Sequence, residues 1–394
     1  MPPPTCVTPE RTGSPSPVLP YARQHIDEED IAAVVEVLRS SRLTTGPRVE
    51  AFERAVAEIA GTAHAVAVSS GTAALHTAMA ALSISEGDEV IVPAMTFAAT
   101  ANAVVYAGGT PIFADVDADT LLLDPERVAS LVTPCTRAVI AVDYAGQPCD
   151  YDALRAVTDR HDLALVADGC HALGGAYQGR PVGGLADLTT FSFHPVKPIT
   201  TGEGGMITTD NDAFCRRMRQ FRNHGMSADH DQRRRDGSWI YEITELGYNY
   251  RITDMQCALG LRQLDKLPGW VTRRQAIARQ YDAAFADLAG VESLRVRDDV
   301  SHAWHLYVVR VDADGGRLDR ATVFAALRDQ GIGVNVHYIP VHLHPFYLDR
   351  FGTGPGMCPV AEAAYERIVS LPIFPAMTDD DVDRVVAAVW KAAG

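Results

Sequence analysis

The chain has 394 residues, too many for one small core, so two domains are expected. Apolar residues make up 47% and charged residues 22%, the balance of an ordinary globular protein. Fifty acidic against 35 basic side chains leave a formal charge of −15, which disfavours nucleic acid because phosphate contacts need clustered Lys and Arg. The one dense basic run, Arg233-Arg234-Arg235, is flanked by Asp231 and Asp236 and reads as a solvated loop. No apolar run approaches the roughly 20 residues that cross a bilayer, so no membrane association is expected. The seven cysteines are scattered, with neither metal-ligand spacing nor a disulfide framework, which points to a reducing cytoplasm and to no bound metal.

The start, Met1 to Pro20, carries seven prolines and lacks the apolar core of a secretory signal; residues 1–22 are read as a disordered extension. A helical pattern runs from Ile26 to Leu38, with Asp27, Glu28 and Glu29 where a first turn favours negative charge. A second helix, Pro47 to Ile59, leads to a strand, His64 to Val68. Thr72 to Leu82 is a third helix. Apolar strand-like runs then alternate with helix-like segments: Glu89 to Val92, Thr110 to Val116, Ala138 to Asp143, Leu163 to Asp168. Two more strands, Ala186 to Phe193 and Met206 to Thr209, bracket a glycine-rich turn. Such alternation predicts an α/β fold with a large, mostly parallel sheet between helices. Trp270 to Leu288 reads as a long connecting helix, followed by strand Ala303 to Val311, helix Arg320 to Gln330, strand Gly331 to Tyr338 and a last helix Asp379 to Ala392. The expected division is a large domain over 23–260 and a smaller C-terminal α/β domain over 261–394.

Four features fall at the C-terminal ends of predicted strands, where open α/β sheets place their ligands. Ser70-Gly71-Thr72 turns from a strand into a helix N-terminus, whose N–H groups and hydroxyls suit a phosphate dianion, although such a turn is also an ordinary helix cap. Phe97 follows the strand ending at Val92 and offers a face for a flat ring, or belongs to the core. Asp168 ends a very apolar strand, where a carboxylate is costly unless paired. A pyridinium N–H is one suitable partner; capping the next turn is the alternative. His171 would stand beside the same ring. Lys197, after Phe191-Ser192-Phe193-His194-Pro195-Val196, sits on the turn between two strands. Read alone it is a surface cation. Beside the other three it is the amine that pyridoxal 5'-phosphate (PLP) needs to be held covalently. Four coincidences in order are less economical than one PLP site.

The order Ser70-Gly71-Thr72, Thr96-Phe97, Asp168, Ser192 and Lys197-Pro198-Ile199-Thr200-Thr201-Gly202-Glu203-Gly204-Gly205 resembles the DegT/DnrJ/StrS family of nucleotide-sugar aminotransferases, from about residue 20 onward. The resemblance implies the aspartate-aminotransferase (fold-type I) architecture and a homodimer with active sites at the subunit interface. It implies that Lys197 carries PLP, that Asp168 meets the pyridine nitrogen, and that Thr72 and Ser192 hold the phosphate while Phe97 stacks on the ring. Asn249, in Gly247-Tyr248-Asn249-Tyr250-Arg251, would reach the neighbouring subunit's phosphate. Asn335-Val336-His337-Tyr338-Ile339-Pro340 matches the segment that shapes the sugar pocket, so His337 and Tyr338 are expected there. Arg251, and Arg222 with His224, are candidates for the diphosphate. The segment His194 to Thr201 is similar to the pseudaminic acid branch. That branch aminates C4 of a UDP-linked 4-keto-6-deoxy-N-acetylhexosamine, with glutamate as the usual donor. The chain departs from the family at Ala167, where an acid is usual, and at His171, where glutamine is common. An aminotransferase for another nucleotide sugar or a cyclitol ketone is the nearest rival. The 3-dehydratase members replace the lysine with histidine, so Lys197 weighs against that chemistry. Substrate selection is expected to lie with the loops Ser227 to Trp239 and Pro340 to Gly356.

Overall fold

The computed structural model describes residues 18–227, 233, 235, 237–311 and 319–394; Arg234 with Asp231 and Asp236, most of the Ser227–Trp239 loop and residues 1–17 lie outside them. Asp27 caps the first helix, Glu28–Leu38, through a reciprocal pair with Asp30, as the acidic first turn predicts. Helix Pro47–Ala60 follows. The strands of the main sheet are β1 (His64–Val68), β2 (Glu89–Pro93), β3 (Thr110–Ala114), β4 (Thr136–Val142) and β5 (Ala164–Asp168). After a small ribbon, β6 (Ala176–Tyr177) and β7 (Arg180–Pro181), come β8 (Leu188–Ser192) and β9 (Gly205–Thr209). The sheet order is β1-β9-β8-β5-β4-β2-β3. Only β9 runs against the others: it pairs antiparallel with β1 and β8, and the remaining pairs are parallel. The C-terminal ends of β1, β8, β5, β4 and β2 therefore share one edge, and the long β8–β9 connection hangs over it.

Buried side chains gather in two clusters. The first holds the main sheet and its helices, with β-branched strand residues such as Val66, Val90, Val139 and Val166 fully buried. The second joins Ile277, Tyr281 and Phe285 to a three-stranded sheet of β10 (Val291–Ser293), β12 (Tyr307–Val311) and β13 (Ile368–Leu371) and to helix Asp379–Ala393. A short strand β11 (Val300–Ser301) pairs with β6. One helix serves both clusters: Leu264, Leu267 and Val271 pack in the first, and its last two turns in the second.

Three expectations need correction. The connecting helix does not start at Trp270 but runs over Asp254–Phe285, because Thr253 and Gln256 form a capping box far upstream; Pro268 lies inside it. Gly331 to Tyr338 is not a strand. It makes only isolated bridges, Ile332 to Leu19 and Asn335 to Ser370, so it has too few partners for a ladder. Residues 18–22 do not belong to a disordered extension: Leu19 is buried in the second cluster and its backbone pairs with Gly331 and Gly333. An apolar side chain with a core to enter outweighs the prolines around it.

Candidate active site

The sheet edge opens into a cleft of about 610 Å³, within the usual range for small-molecule sites. Ser70, Gly71, Thr72, Phe97, Asp168, His171, Ser192, Lys197, His337 and Tyr338 all line it. Asn249 and Arg251 do not: Asn249 is exposed outside the cleft, and Arg251 donates from Nη1 to Asn223 Oδ1 at 2.8 Å. Arg222 is committed elsewhere, donating to the Ala67 carbonyl and pairing with buried Glu53.

At the end of β1, Ser70 caps helix Gly71–Ala81, its Oγ accepting from Ala73 N–H at 3.0 Å. The capping role and a place in the cleft thus coexist, and the helix presents its positive end to the opening. Gly71 has no room for a side chain. A Cβ there would stand 2.7 Å from Ser192 Cβ and 3.0 Å from Ser192 Oγ, so absence of a side chain is what brings the β1 and β8 ends together.

Asp168 is only 6% exposed. Its Oδ2 accepts from Thr100 Oγ1 at 2.7 Å, Oδ1 accepts from Cys170 N–H at 3.2 Å, and Thr100 in turn contacts Thr96 at 2.8 Å. Thr100, one turn into the helix after Phe97, was missed as a site residue. These neutral partners orient the carboxylate and leave lone pairs for a cationic N–H donor, which suits the protonated pyridine of PLP. Lys197 lies on the β8–β9 connection and its pKa is lowered, chiefly by burial, with Cys170 and Asp168 opposing. A lysine so placed is easier to use as a neutral amine.

His171 holds Nε2 3.2 Å from Tyr338 OH, while its Nδ1 is buried without a hydrogen-bond partner. Burial, then the Lys197 charge and His337, push its pKa well below the ordinary histidine value, so it is neutral at pH 7. His305, 4.4 Å from His171 between ring centroids, also lines the cleft and was missed. The run Ala303 to Val311 reads as one strand, but β12 starts only at Tyr307. Residues 303–306 instead bond to Ala145 and Gly146, which turns His305 inward. Phe97 is 59% exposed at the cleft mouth, 6.0 Å from the Tyr338 ring, and so is not a core residue. A flat ring entering the cleft would cover it.

Residues 24–390 match the model of the DegT/DnrJ/EryC1/StrS aminotransferase family. The chain belongs to that family. It is 44% identical over 373 residues to the spore coat polysaccharide biosynthesis protein SpsC of Bacillus subtilis, covering 94% of this chain and 96% of that one. Among solved structures, the PLP-form of the sugar aminotransferase Spr1654 from Streptococcus pneumoniae superposes with a TM-score of 0.89 at 33% identity, over 95% of this chain and 98% of that chain. Helicobacter pylori PseC, an aminotransferase of pseudaminic acid biosynthesis, gives 0.88 at 33% identity, over 95% and 99%. The DegT/DnrJ/EryC1/StrS chain described here is therefore a PLP-dependent aminotransferase of fold type I. No helix among the described residues is long and apolar enough to cross a membrane.

Proposed function

We propose that this enzyme moves an amino group from an amino acid, glutamate first, to the C4 ketone of a nucleotide-linked 4-keto-6-deoxy sugar. The product assigned is UDP-4-amino-4,6-dideoxy-N-acetyl-β-L-altrosamine. The observation that carries the reading is a half-buried lysine and a buried, neutrally partnered aspartate facing one cleft in a chain that matches a sugar aminotransferase along nearly its whole length. The similarity to PseC supports the sugar, as does the His194 to Thr201 segment.

When bound, PLP would supply an electron sink for the carbon that gives up or receives the amino group. Lys197 would hold it covalently and, as a free amine, would carry a proton; its lowered pKa favours the neutral form this needs. Asp168, oriented by Thr100, would keep the ring nitrogen protonated. Thr72, Ser192 and the Ser70-Gly71 turn would hold the phosphate, Phe97 would cover the ring, and His171 would stand beside it. His337 and Tyr338 face the sugar. The working unit is a homodimer in the cytoplasm, in which the exposed Asn249 completes the partner's phosphate site and Arg251 lies near the sugar diphosphate.

Purified, PLP-loaded protein is scanned for absorbance in a single turnover. Glutamate should remove the band of the lysine-bound cofactor and one 4-keto-6-deoxy nucleotide sugar should restore it. Lys197→Ala should lose both the band and turnover. Full activity in that variant, or the same band, would sink the assignment of Lys197. A band restored only by a cyclitol ketone would favour the rival substrate class.

A further inference from the structure

We propose that Tyr21, carried by the segment before the first helix, is a recognition residue for the amino-accepting sugar. The assignment rests on the sugar aminotransferase reading above and adds to it a wall of the cleft that comes from neither the main sheet nor its loops. The segment is pinned at three points: Leu19 N–H donates to Gly331 O, Gly333 N–H to Leu19 O, and Ile373 N–H to Tyr21 O. Gly333 makes the fit possible, since a Cβ there would lie 2.8 Å from Leu19 O and 3.1 Å from Tyr21 N. With the backbone held, the Tyr21 ring lines the cleft 5.4 Å from the His337 ring.

Its ring stands beside a polar row that lines the same cleft. Asn335 Nδ2 lies 3.2 Å from His337 Nε2, and His337 Nδ1 lies 2.8 Å from Oγ of buried Ser370. His337 is also fixed through its carbonyl, which accepts from the Tyr144 hydroxyl. A row rooted in the core is preorganised, so a ligand meeting it loses little to ordering. Its chemistry is an aromatic face beside amide, phenol and imidazole edges. That pairing suits a hydroxylated ring with an apolar face, and it stands apart from the phosphate, ring-nitrogen and lysine contacts assigned to the cofactor.

The test uses PLP-loaded Tyr21→Phe and Tyr21→Ala, with the two half-reactions measured separately and binding of UDP-N-acetylglucosamine, an unreactive probe, followed by calorimetry. The glutamate half-reaction should stay within about twofold of wild type. Half-saturation by the ketosugar should rise about three- to tenfold in Tyr21→Phe and more than about tenfold in Tyr21→Ala, with probe binding weakened in parallel. Tyr21→Phe keeps the ring and its packing, so a fold defect confined to Tyr21→Ala leaves the hydroxyl's role readable. Unchanged ketosugar saturation and probe binding in both variants overturn the assignment, as does an equal loss in the glutamate half-reaction. If the wild type itself takes nitrogen from glutamate and passes it to no ketosugar, the sugar reading fails and this assignment fails with it.

Discussion

Gly71→Ala tests whether the approach of the Ser70-Gly71 turn to Ser192 depends on a missing side chain. The added Cβ would lie 2.7 Å from Ser192 Cβ, 3.0 Å from Ser192 Oγ and 3.4 Å from Cys170 Sγ, in a region where the strand ends cannot separate without breaking β8–β9 pairing. Overpacking of this kind costs about 1–3 kcal/mol, and the better helix propensity of alanine offsets less than about 1. Net destabilisation of about 1–2 kcal/mol is expected in urea unfolding of the cofactor-free protein. With Ser192 holding the phosphate as proposed, its displacement loses a charge-assisted hydrogen bond worth about 1.5–3 kcal/mol, and PLP affinity falls about ten- to hundredfold. Ser192→Gly removes both atoms that collide. The double variant should recover most of the stability lost to Gly71→Ala, giving a coupling of at least about 1 kcal/mol, but should not recover PLP affinity. Urea midpoints and a spectrophotometric PLP titration of the four proteins complete the cycle. Unchanged midpoint and affinity in Gly71→Ala, or strictly additive costs, would refute the reasoning.

Glu53 is buried, accepts from Ala67 N–H at 3.0 Å and pairs with Arg222 and Arg219; Glu53→Ala should cost about 3–5 kcal/mol in urea unfolding, because the half-buried Arg222 is left without its carboxylate. Asp143, at the end of β4, has its pKa raised to about 7, mainly by burial, with Asp168 adding and bonds from Cys149 N–H and the Tyr151 hydroxyl opposing. The native state therefore binds the proton more tightly than the unfolded chain, so this group's contribution to stability falls as pH rises from about 4 to about 7. Asp143→Asn keeps the Oδ1 acceptor and removes the titration. The stability difference, variant minus wild type, should climb across that window in urea midpoints taken by pH, and a flat difference contradicts it.

Much of the fold could be read because it rests on local rules. Acidic first turns, a Ser-Gly-Thr cap and runs of β-branched residues place helix Glu28–Leu38, helix Gly71–Ala81 and the strands within a few residues of their observed ends. Ten of the fourteen site residues named from the sequence share one cleft; eight lie within a few residues of a strand end, and the sheet topology collects those ends, while His337 and Tyr338 arrive on a segment that is not a strand. What escaped depended on contacts distant in sequence. Tyr21 lines the cleft only because Leu19 finds Gly331 and Gly333, more than 300 residues away. His305 turns inward only because Ala145 and Gly146 claim the backbone that would have extended β12. Thr100 becomes a partner of Asp168 across a separation of 68 residues, and one threonine in a helix gives no sign of it.

The lysine segment shows how a motif divides its work. Of its residues, only Lys197 needs to be an amine; the rest fix where that amine is held. Thr200 Oγ1 donates to Phe193 O at 3.0 Å and accepts from Gly202 N–H at 2.9 Å, while Thr201 N–H also donates to Phe193 O and Thr201 Oγ1 to Glu203 O. Phe193 N–H closes the loop onto Gly204 O. Gly204 has no space for a Cβ beside the Thr201 hydroxyl, and Gly205 has none beside the Ser70 carbonyl. The two threonines thus supply the hydrogen bonds that a loop at a buried sheet edge must make for its own backbone. The two glycines let that loop fold against the Ser70-Gly71 turn. Because β9 is the one reversed strand, the chain must double back directly above the edge where the parallel strands end. That reversal places Lys197 in the cleft with Asp168 and Ser192, and the specificity of the motif is mostly the specificity of this turn.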